Sequence, residues 1–232
     1  MSERVALITG AGRGIGRAVA IELARRKFSL MLVSRTEREL RETIQLAGEG
    51  SYFVGNVAKP QAVNEAVSEC VKQFGRLDTV VHCAGYAPIL KIAEATDEQW
   101  RDTIDINLSA AFYLARAAWP HFVEQKGGVI VNISSSATRD PFLGFTAYAA
   151  AKAGINLLGR ALAKEGEPVG IRVHTIAPGS TETKMFRAIY SKEQYPEKKT
   201  MDPAGVALVI AECVTGELRY TSGEVIWLRK TV

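Results

Sequence analysis

The sequence predicts an α/β protein built on one doubly wound parallel sheet of about seven strands, with helices on both faces. Three observations carry that expectation. Short apolar, β-branched runs recur along the chain and are unbroken rather than alternating, as strands buried on both faces are. Segments of helical period separate most of them. The chain has 232 residues, 47% of them hydrophobic, which suits one domain with a substantial core. No repeat, low-complexity segment or linker interrupts it, so residues 1–232 read as a single domain.

RVALIT (4–9) is the first strand, and it runs into glycine. GIGRAVAIELARR (14–26) follows a helical period; SLMLVS (29–34) is a second buried strand, and TERELRETIQLAG (36–48) a second helix. SYFVGNV (51–57) is the third strand, and PQAVNEAVSECVKQFG (60–75) is a helix opened by proline, whose fixed φ suits a first turn. LDTVVHCAG (77–85) is the fourth strand, and a long helical region covers roughly 97–124. GGVIVNISS (127–135) is the fifth strand, YAAAKAGINLLGRALAKEG (148–166) a helix, GIRVHTIAPG (170–179) the sixth strand and GEVIWL (223–228) the seventh. YSKEQYPEKKT (190–200), polar and proline-broken, is expected as a mobile surface loop within a substrate loop of about 184–200.

Charge is mixed, 29 basic against 25 acidic residues for a net +4, with no long basic run. That argues against nucleic acid and suits an anionic small ligand. Cys70, Cys83 and Cys213 are scattered and form no CxxC pair, so neither a disulfide framework nor a zinc site is expected, and a reducing cytoplasm is the natural home. His82, His121 and His174 lack metal-ligand spacing and read as structural; no metal is expected. The first apolar run begins at Val5, which leaves no room for a signal peptide, and no apolar stretch reaches the ~20 residues of a membrane span.

The first strand enters TGAGRGIG (9–16), with Gly10, Gly14 and Gly16 at a strand-to-helix turn. Such a turn aims free backbone N–H groups and the helix dipole at an anion, and the missing Cβ atoms allow a pyrophosphate to come close. No GK[ST] follows, so it is not a phosphate-binding Walker loop; Ile15 stands where the last glycine of GxGxxG falls. About 20 residues on, where an acid reads an NAD ribose, the chain has Ser34 followed by Arg35. A carboxylate repels a 2′-phosphate and arginine grips one, so Arg35 and Arg13 favour NADP(H) over NAD(H), unless both are simply solvated charges. Tyr148 and Lys152 lie at i and i+4 and share a helix face; taken alone the pair also fits a surface tyrosine and a solvated lysine.

TGAGRGIG, HCAG, INLS, NISS, YAAAK and APGSTET, in this order over about residues 4–185, resemble the short-chain dehydrogenase/reductase family in its compact single-domain branch, a Rossmann-type fold. The resemblance implies an NADP(H)-dependent oxidoreductase that interconverts a ketone or aldehyde with an alcohol. Tyr148 would be the general acid, and the Lys152 ammonium would stabilise its phenolate and hold the nicotinamide ribose. Ser135, chosen over Ser134 and Ser136 by its 13-residue spacing from Tyr148, would bond the substrate oxygen. Asn107 would bind a water that extends the proton relay through Lys152, or else be a buried structural asparagine. Pro178 and Gly179 would turn the chain so that Thr181 and Thr183 meet the nicotinamide carboxamide. Asn56 and Val57 would lie by the adenine, with Cys83, Ala84 and Gly85 along the cofactor.

Three departures bear on cofactor affinity and subunit contacts. Cys83 replaces the asparagine of the usual NAG, whose amide ties neighbouring strands, and reads as a small buried filler. Asn56 replaces an aspartate, and its carbonyl would bond the adenine amino group. GEVIWLRKTV lacks the common Asp-Gly-Gly ending. Two rival readings are a nicotinamide-dependent epimerase or dehydratase, which carries a larger C-terminal substrate domain than 232 residues allow, and a non-catalytic dinucleotide-sensing regulator, which tends to lose the tyrosine or lysine. The substrate class is open; Phe142, Phe145, Phe186 and Tyr190 point to an apolar pocket, and Arg139 is either solvated or a partner for an acidic substrate. The helices at roughly 97–124 and 148–165 carry alanine-rich faces, expected to pair in a homodimer or homotetramer or to pack on the sheet.

Overall fold

The computed structural model describes residues 4–231. Within them a wholly parallel sheet has the strand order β3-β2-β1-β4-β5-β6-β7. The strands are β1 (Arg4–Thr9), β2 (Phe28–Ser34), β3 (Ser51–Val54), β4 (Thr79–His82), β5 (Gly128–Ile133), β6 (Ile171–Pro178) and β7 (Val225–Leu228), each inside or beside an expected run. β3 stops at Val54 and β4 at His82, short of the 57 and 85 that their apolar runs reach. There the backbone leaves the ladder to wall a cleft. The winding reverses between β1 and β4, and the crevice beyond their carboxyl ends is where such sheets bind ligands.

The helices are α1 (Gly14–Arg25), α2 (Glu37–Ala47), α3 (Pro60–Phe74), α4 (Asp97–Ile104), α5 (Ala110–Glu124), α6 (Thr146–Gly166), α7 (Lys184–Arg187) and α8 (Pro203–Thr215). Alternate strand residues feed two cores, because successive side chains point to opposite faces. Leu7, Val80 and Ile130 meet Leu114, Ala118 and Phe122 of α5 on one face; Ile8, Leu32 and Val131 meet Leu23 of α1 and Ile210 of α8 on the other. The alanine face of α5 is therefore used internally: Ala110, Ala111, Ala115 and Ala118 are buried, while Phe112 on α5 and Leu157 on α6 stay exposed.

Two segments differ from expectation. The sequence predicts no element between 200 and 223, yet α8 lies there. Its signals are local: the Asp202 carboxylate accepts from the Ala204 N–H (2.9 Å), Pro203 opens the first turn and Gly216 ends the helix at φ +103°. Val206, Ala207, Ile210, Ala211, Cys213 and Val214 are buried on one side, but Leu208 is apolar on the exposed side, so the run is too evenly apolar to show its stripe in the sequence. The 190–200 stretch is not a bare surface loop. Thr181 pairs with Met201 in a parallel bridge, and Arg187 donates to the carbonyls of Ser191 (3.1 Å) and Tyr195 (2.7 Å), folding the segment onto the cleft.

The 97–124 region is continuous but not uniform. Thr96 and Gln99 form a reciprocal capping box at the start of α4. Asp105–Ser109 then forms a π-helical turn before α5, a distortion often found where a helix serves a site.

Candidate active site

The glycine turn stands at the carboxyl end of β1. Gly10 (φ +64°) packs so tightly on the next strand that an added Cβ would come 2.6 Å from the Ala84 nitrogen; one on Gly16 would come 2.3 Å from the Gly10 carbonyl oxygen. Only glycine permits these approaches, and they leave the first turn of α1 facing an open cleft. Gly10, Arg13, Gly14, Ile15 and Gly16 all line it. Residues that the sequence reading passed over fix the turn. Arg17 donates to the Gly12 carbonyl and, through Nε, to Thr43 Oγ1 (3.1 Å), and Thr43 reaches the Ala11 carbonyl (2.9 Å). An arginine one helical turn beyond a glycine loop was the signal available.

At one end of the cleft sit Ser34, Arg35, Asn56 and Val57. Arg35 is exposed and makes no ion pair among the described residues. Arg13 pairs with Glu39, Nη1 to Oε1 3.5 Å. Glu39, on the first turn of α2, is an acid the sequence reading missed, because it follows the end of β2 instead of closing it. The Asn56 carbonyl was expected to face adenine; its Oδ1 accepts from the Ala58 N–H (3.1 Å), a local turn that sets up the start of α3.

Ser135, Tyr148 and Lys152 meet at the other end. Lys152 is 3% exposed, and its Nζ donates to the Ile133 carbonyl at the end of β5 (2.8 Å). Burial pushes its ammonium down to about 8, with the Cys83 thiol acting the other way. Its Nζ lies 5.7 Å from the centre of the Tyr148 ring. The sequence reading expected lysine to lower the phenol's pKa. Burial instead raises it, and the Ser135 hydroxyl is what draws it down. Ser135 Oγ accepts from the Ala137 N–H (3.1 Å), and its own hydroxyl is the one hydrogen-bonded to Tyr148. Ser134 Oγ is buried and turned to the Lys152 carbonyl (3.3 Å), which separates it from Ser135.

Asn107 lies in the π turn, fully buried, and its side chain is occupied. Nδ2 donates to the Tyr86 (2.7 Å) and Thr103 (2.8 Å) carbonyls, and Oδ1 accepts from the Tyr86 N–H (3.2 Å). The Asn107 carboxamide is thus the tie between this turn and the loop after β4. A Cβ on Gly85 would fall 3.3 Å from Asn107 Oδ1 and 3.9 Å from Lys152 Nζ, so that loop runs between the two.

Cys83, Ala84 and Gly85 line the cleft, and burial pushes the Cys83 thiol up to about 12, an unreactive state. The strand tie that Cys83 lacks comes from its neighbour: His82 Nδ1 pairs with Thr9 Oγ1 (3.0 Å), which also receives the Ala84 N–H (3.3 Å). Burial holds His82 down to about 3, so it stays neutral. Pro178, Gly179, Thr181 and Thr183 complete the wall. Thr181 donates to the Gly179 carbonyl (3.0 Å), and Thr183 caps α7 by accepting from the Phe186 N–H (3.1 Å).

A glycine cradle facing an open cleft, with Arg13 and Arg35 at one end and a buried lysine at the other, fits a dinucleotide. Among the described residues no group of three or more His, Cys, Asp or Glu is placed to hold a metal, and no helix is long and apolar enough to cross a membrane.

Known proteins share this chain's sequence pattern and fold. The family model described as short chain dehydrogenase matches residues 4–194. The chain is 41% identical over 219 residues to short-chain reductase protein NovJ of Streptomyces niveus, covering 93% of this chain and 83% of that protein. It is 30% identical over 228 residues to the 3-oxoacyl-[acyl-carrier-protein] reductase FabG of Vibrio cholerae, covering 95% and 93%. A short-chain type dehydrogenase/reductase from Mycobacterium ulcerans superposes with a TM-score of 0.90 at 29% identity, covering 98% of this chain and 89% of that one. Levodione reductase gives 0.90 at 26%, covering 99% and 97%. The chain belongs to the short-chain dehydrogenase/reductase family, whose members are oxidoreductases that use nicotinamide cofactors.

The Lys152 shift has a measurable consequence. The folded ammonium loses its proton near pH 8, whereas an unfolded lysine keeps it to about 10.5. Between these values the unfolded chain binds the extra proton, so this residue makes stability rise with pH, by roughly 1–3 kcal/mol over the window. Urea denaturation of the ligand-free protein at pH 7 to 10 should show the wild type gaining on Lys152→Met as pH rises. Parallel curves for the two proteins would contradict the shift.

Proposed function

We propose that the protein is an NADP(H)-dependent reductase of ketones or aldehydes, with Ser135, Tyr148 and Lys152 as its catalytic residues and Asn107 as their positioning residue. The observation that carries this reading is the continuity of one cleft from the glycine turn to Tyr148. Gly10, Gly14, Ile15 and Gly16 would hold the pyrophosphate; Arg13, Ser34 and Arg35 the 2′-phosphate; Asn56 and Val57 the adenine side. Cys83, Ala84, Gly85, Pro178, Gly179, Thr181 and Thr183 would hold the nicotinamide half. When bound, the cofactor supplies the hydride.

The protein's own part is to hold the substrate oxygen and give it a proton. Ser135 turns its hydroxyl proton from Tyr148 to that oxygen. Tyr148 gives its proton to the same atom; a phenol raised by burial stays protonated at neutral pH, ready to act as an acid. Lys152 spends one N–H on Ile133 and has others for the ribose and for water that restores the Tyr148 proton.

NADPH should bind at least about tenfold tighter than NADH, ~1.4 kcal/mol, and Arg35→Asp should reverse the order, because Glu39 is already shared with Arg13 while Arg35 is free. Tyr148→Phe should lower turnover by ~100-fold or more and keep the NADPH dissociation constant. Equal constants for the two cofactors, or a folded Tyr148→Phe protein with normal turnover, would refute the corresponding part of the reading.

The exposed faces of α5 and α6, with Phe112 44% and Leu157 69% accessible, support a homodimer or homotetramer built on these helices. Light scattering should give a multiple of 25.2 kDa at micromolar concentration, and a single 25.2 kDa species would overturn that assembly.

A further inference from the structure

Six aromatic rings form a chain that starts on the candidate acid and crosses to the 184–200 segment. Phe145 meets Tyr148 edge to face (centroids 5.1 Å, 61°), Phe142 meets Phe145 (5.5 Å, 79°), and Tyr190 meets Phe142 (5.9 Å, 70°). Phe186 follows at 5.3 Å from Tyr190, and Tyr195 lies 5.1 Å from Phe186. Phe142, Phe145, Tyr148, Phe186 and Tyr190 all line the cleft, with Met185 and Ile189 between them.

This wall is assembled by one ion pair behind it. Arg187 does not line the cleft. Its guanidinium packs on Phe186 (5.4 Å to the ring centre) and makes a paired contact with Glu182, Nε to Oε1 2.7 Å and Nη2 to Oε2 2.5 Å. Its remaining nitrogen reaches the carbonyls of Tyr190, Ser191 and Tyr195. Glu182 also accepts from Thr200 Oγ1 (2.9 Å), and Arg187 holds its carboxyl down to about 2. One arginine thereby fixes where the chain carries Phe186, Tyr190 and Tyr195.

Charge is segregated from this half. Arg13, Arg35 and Glu39 stand at the far end, and Lys152 is tied to Ile133. Lys184, also in the lining, sits between Thr183, whose methyl lies 3.2 Å from where a Cβ on Gly14 would stand, and Met185, at the border of the two halves.

We infer that the substrate is an uncharged carbonyl compound bearing an aromatic ring, received by the Phe142–Phe145–Tyr190–Phe186 wall, with Arg187 as the positioning residue that builds the wall. The inference deepens the reductase reading and rests on it. Ring edges and faces favour another ring over a saturated group of equal area, by an amount that grows with each ring pair formed. An aliphatic pocket has no such preference.

The test compares phenylacetone with cyclohexylacetone, whose rings differ in aromaticity and whose carbonyls are equally isolated from them, with NADPH oxidation as the readout. The wild type should prefer phenylacetone by about tenfold or more in kcat/KM. Arg187→Met should raise KM for phenylacetone and shrink the preference, with kcat less affected and NADPH affinity kept. Arg187→Lys should restore part of it. Should Arg187→Met fail to fold, Tyr190→Leu, which leaves the ion pair in place, should still shrink the preference. Equal kcat/KM for the two ketones, or better turnover of an acetoacetyl thioester than of phenylacetone, would overturn the inference and leave the reductase reading standing. No NADPH oxidation with any carbonyl, by a protein that binds NADPH, would overturn both.

Discussion

The arrangement hangs on a buried ammonium. Lys152 extends from α6 under the cleft and donates to the Ile133 carbonyl at the last residue of β5. A charge in that position is costly unless it is bonded, and the carbonyl freed at a strand end is the bond available. The same contact locks α6 against the sheet, and so sets Tyr148, one turn earlier, above Ser135 in the segment that leaves β5. It also places a positive charge beside His82 and Cys83, both of which burial keeps neutral. The cost is visible in the lysine, which burial brings down to about 8.

The cleft has two halves of opposite character, and the sheet's winding separates them. Loops after β1 and β2 bring glycines, arginines and Glu39 to one side; loops after β5 and β6 bring rings to the other. Lys152 and the Cys83–Gly85 segment lie between. A ligand with a charged diphosphate and a neutral reacting end matches that gradient better than one charged throughout.

Much of this was legible in the sequence because it is written locally. Unbroken apolar strands, the glycine turn and the Tyr148–Lys152 spacing each express a constraint that acts within a few residues. The parts that were not legible are set by partners far along the chain. α8 has local caps, but its open side is apolar too, with Leu208 exposed, so its period is hidden. The order of 184–200 comes from Glu182 gripping Arg187 and from Thr181 pairing with Met201. The sequence leaves Asn107 as either a water ligand or a structural asparagine; the tie of its carboxamide to Tyr86 is one that no spacing rule links to it. The sequence predicts a Tyr148 phenol lowered by its lysine; it shows the neighbour but not the burial that raises the phenol.

The central claim is that burial sets this site against charge; on the proposed reading, the positive ring of a bound oxidised nicotinamide would draw the phenol back down. The direct measurement is an NMR pH titration of Tyr148 in ring-13C-tyrosine protein, assigned with Tyr148→Phe, without and with NADP+. The phenol should titrate above the ~10 of free tyrosine in the ligand-free protein and move down when NADP+ is bound. A titration at or below that ordinary value without cofactor, unmoved by NADP+, would contradict the account.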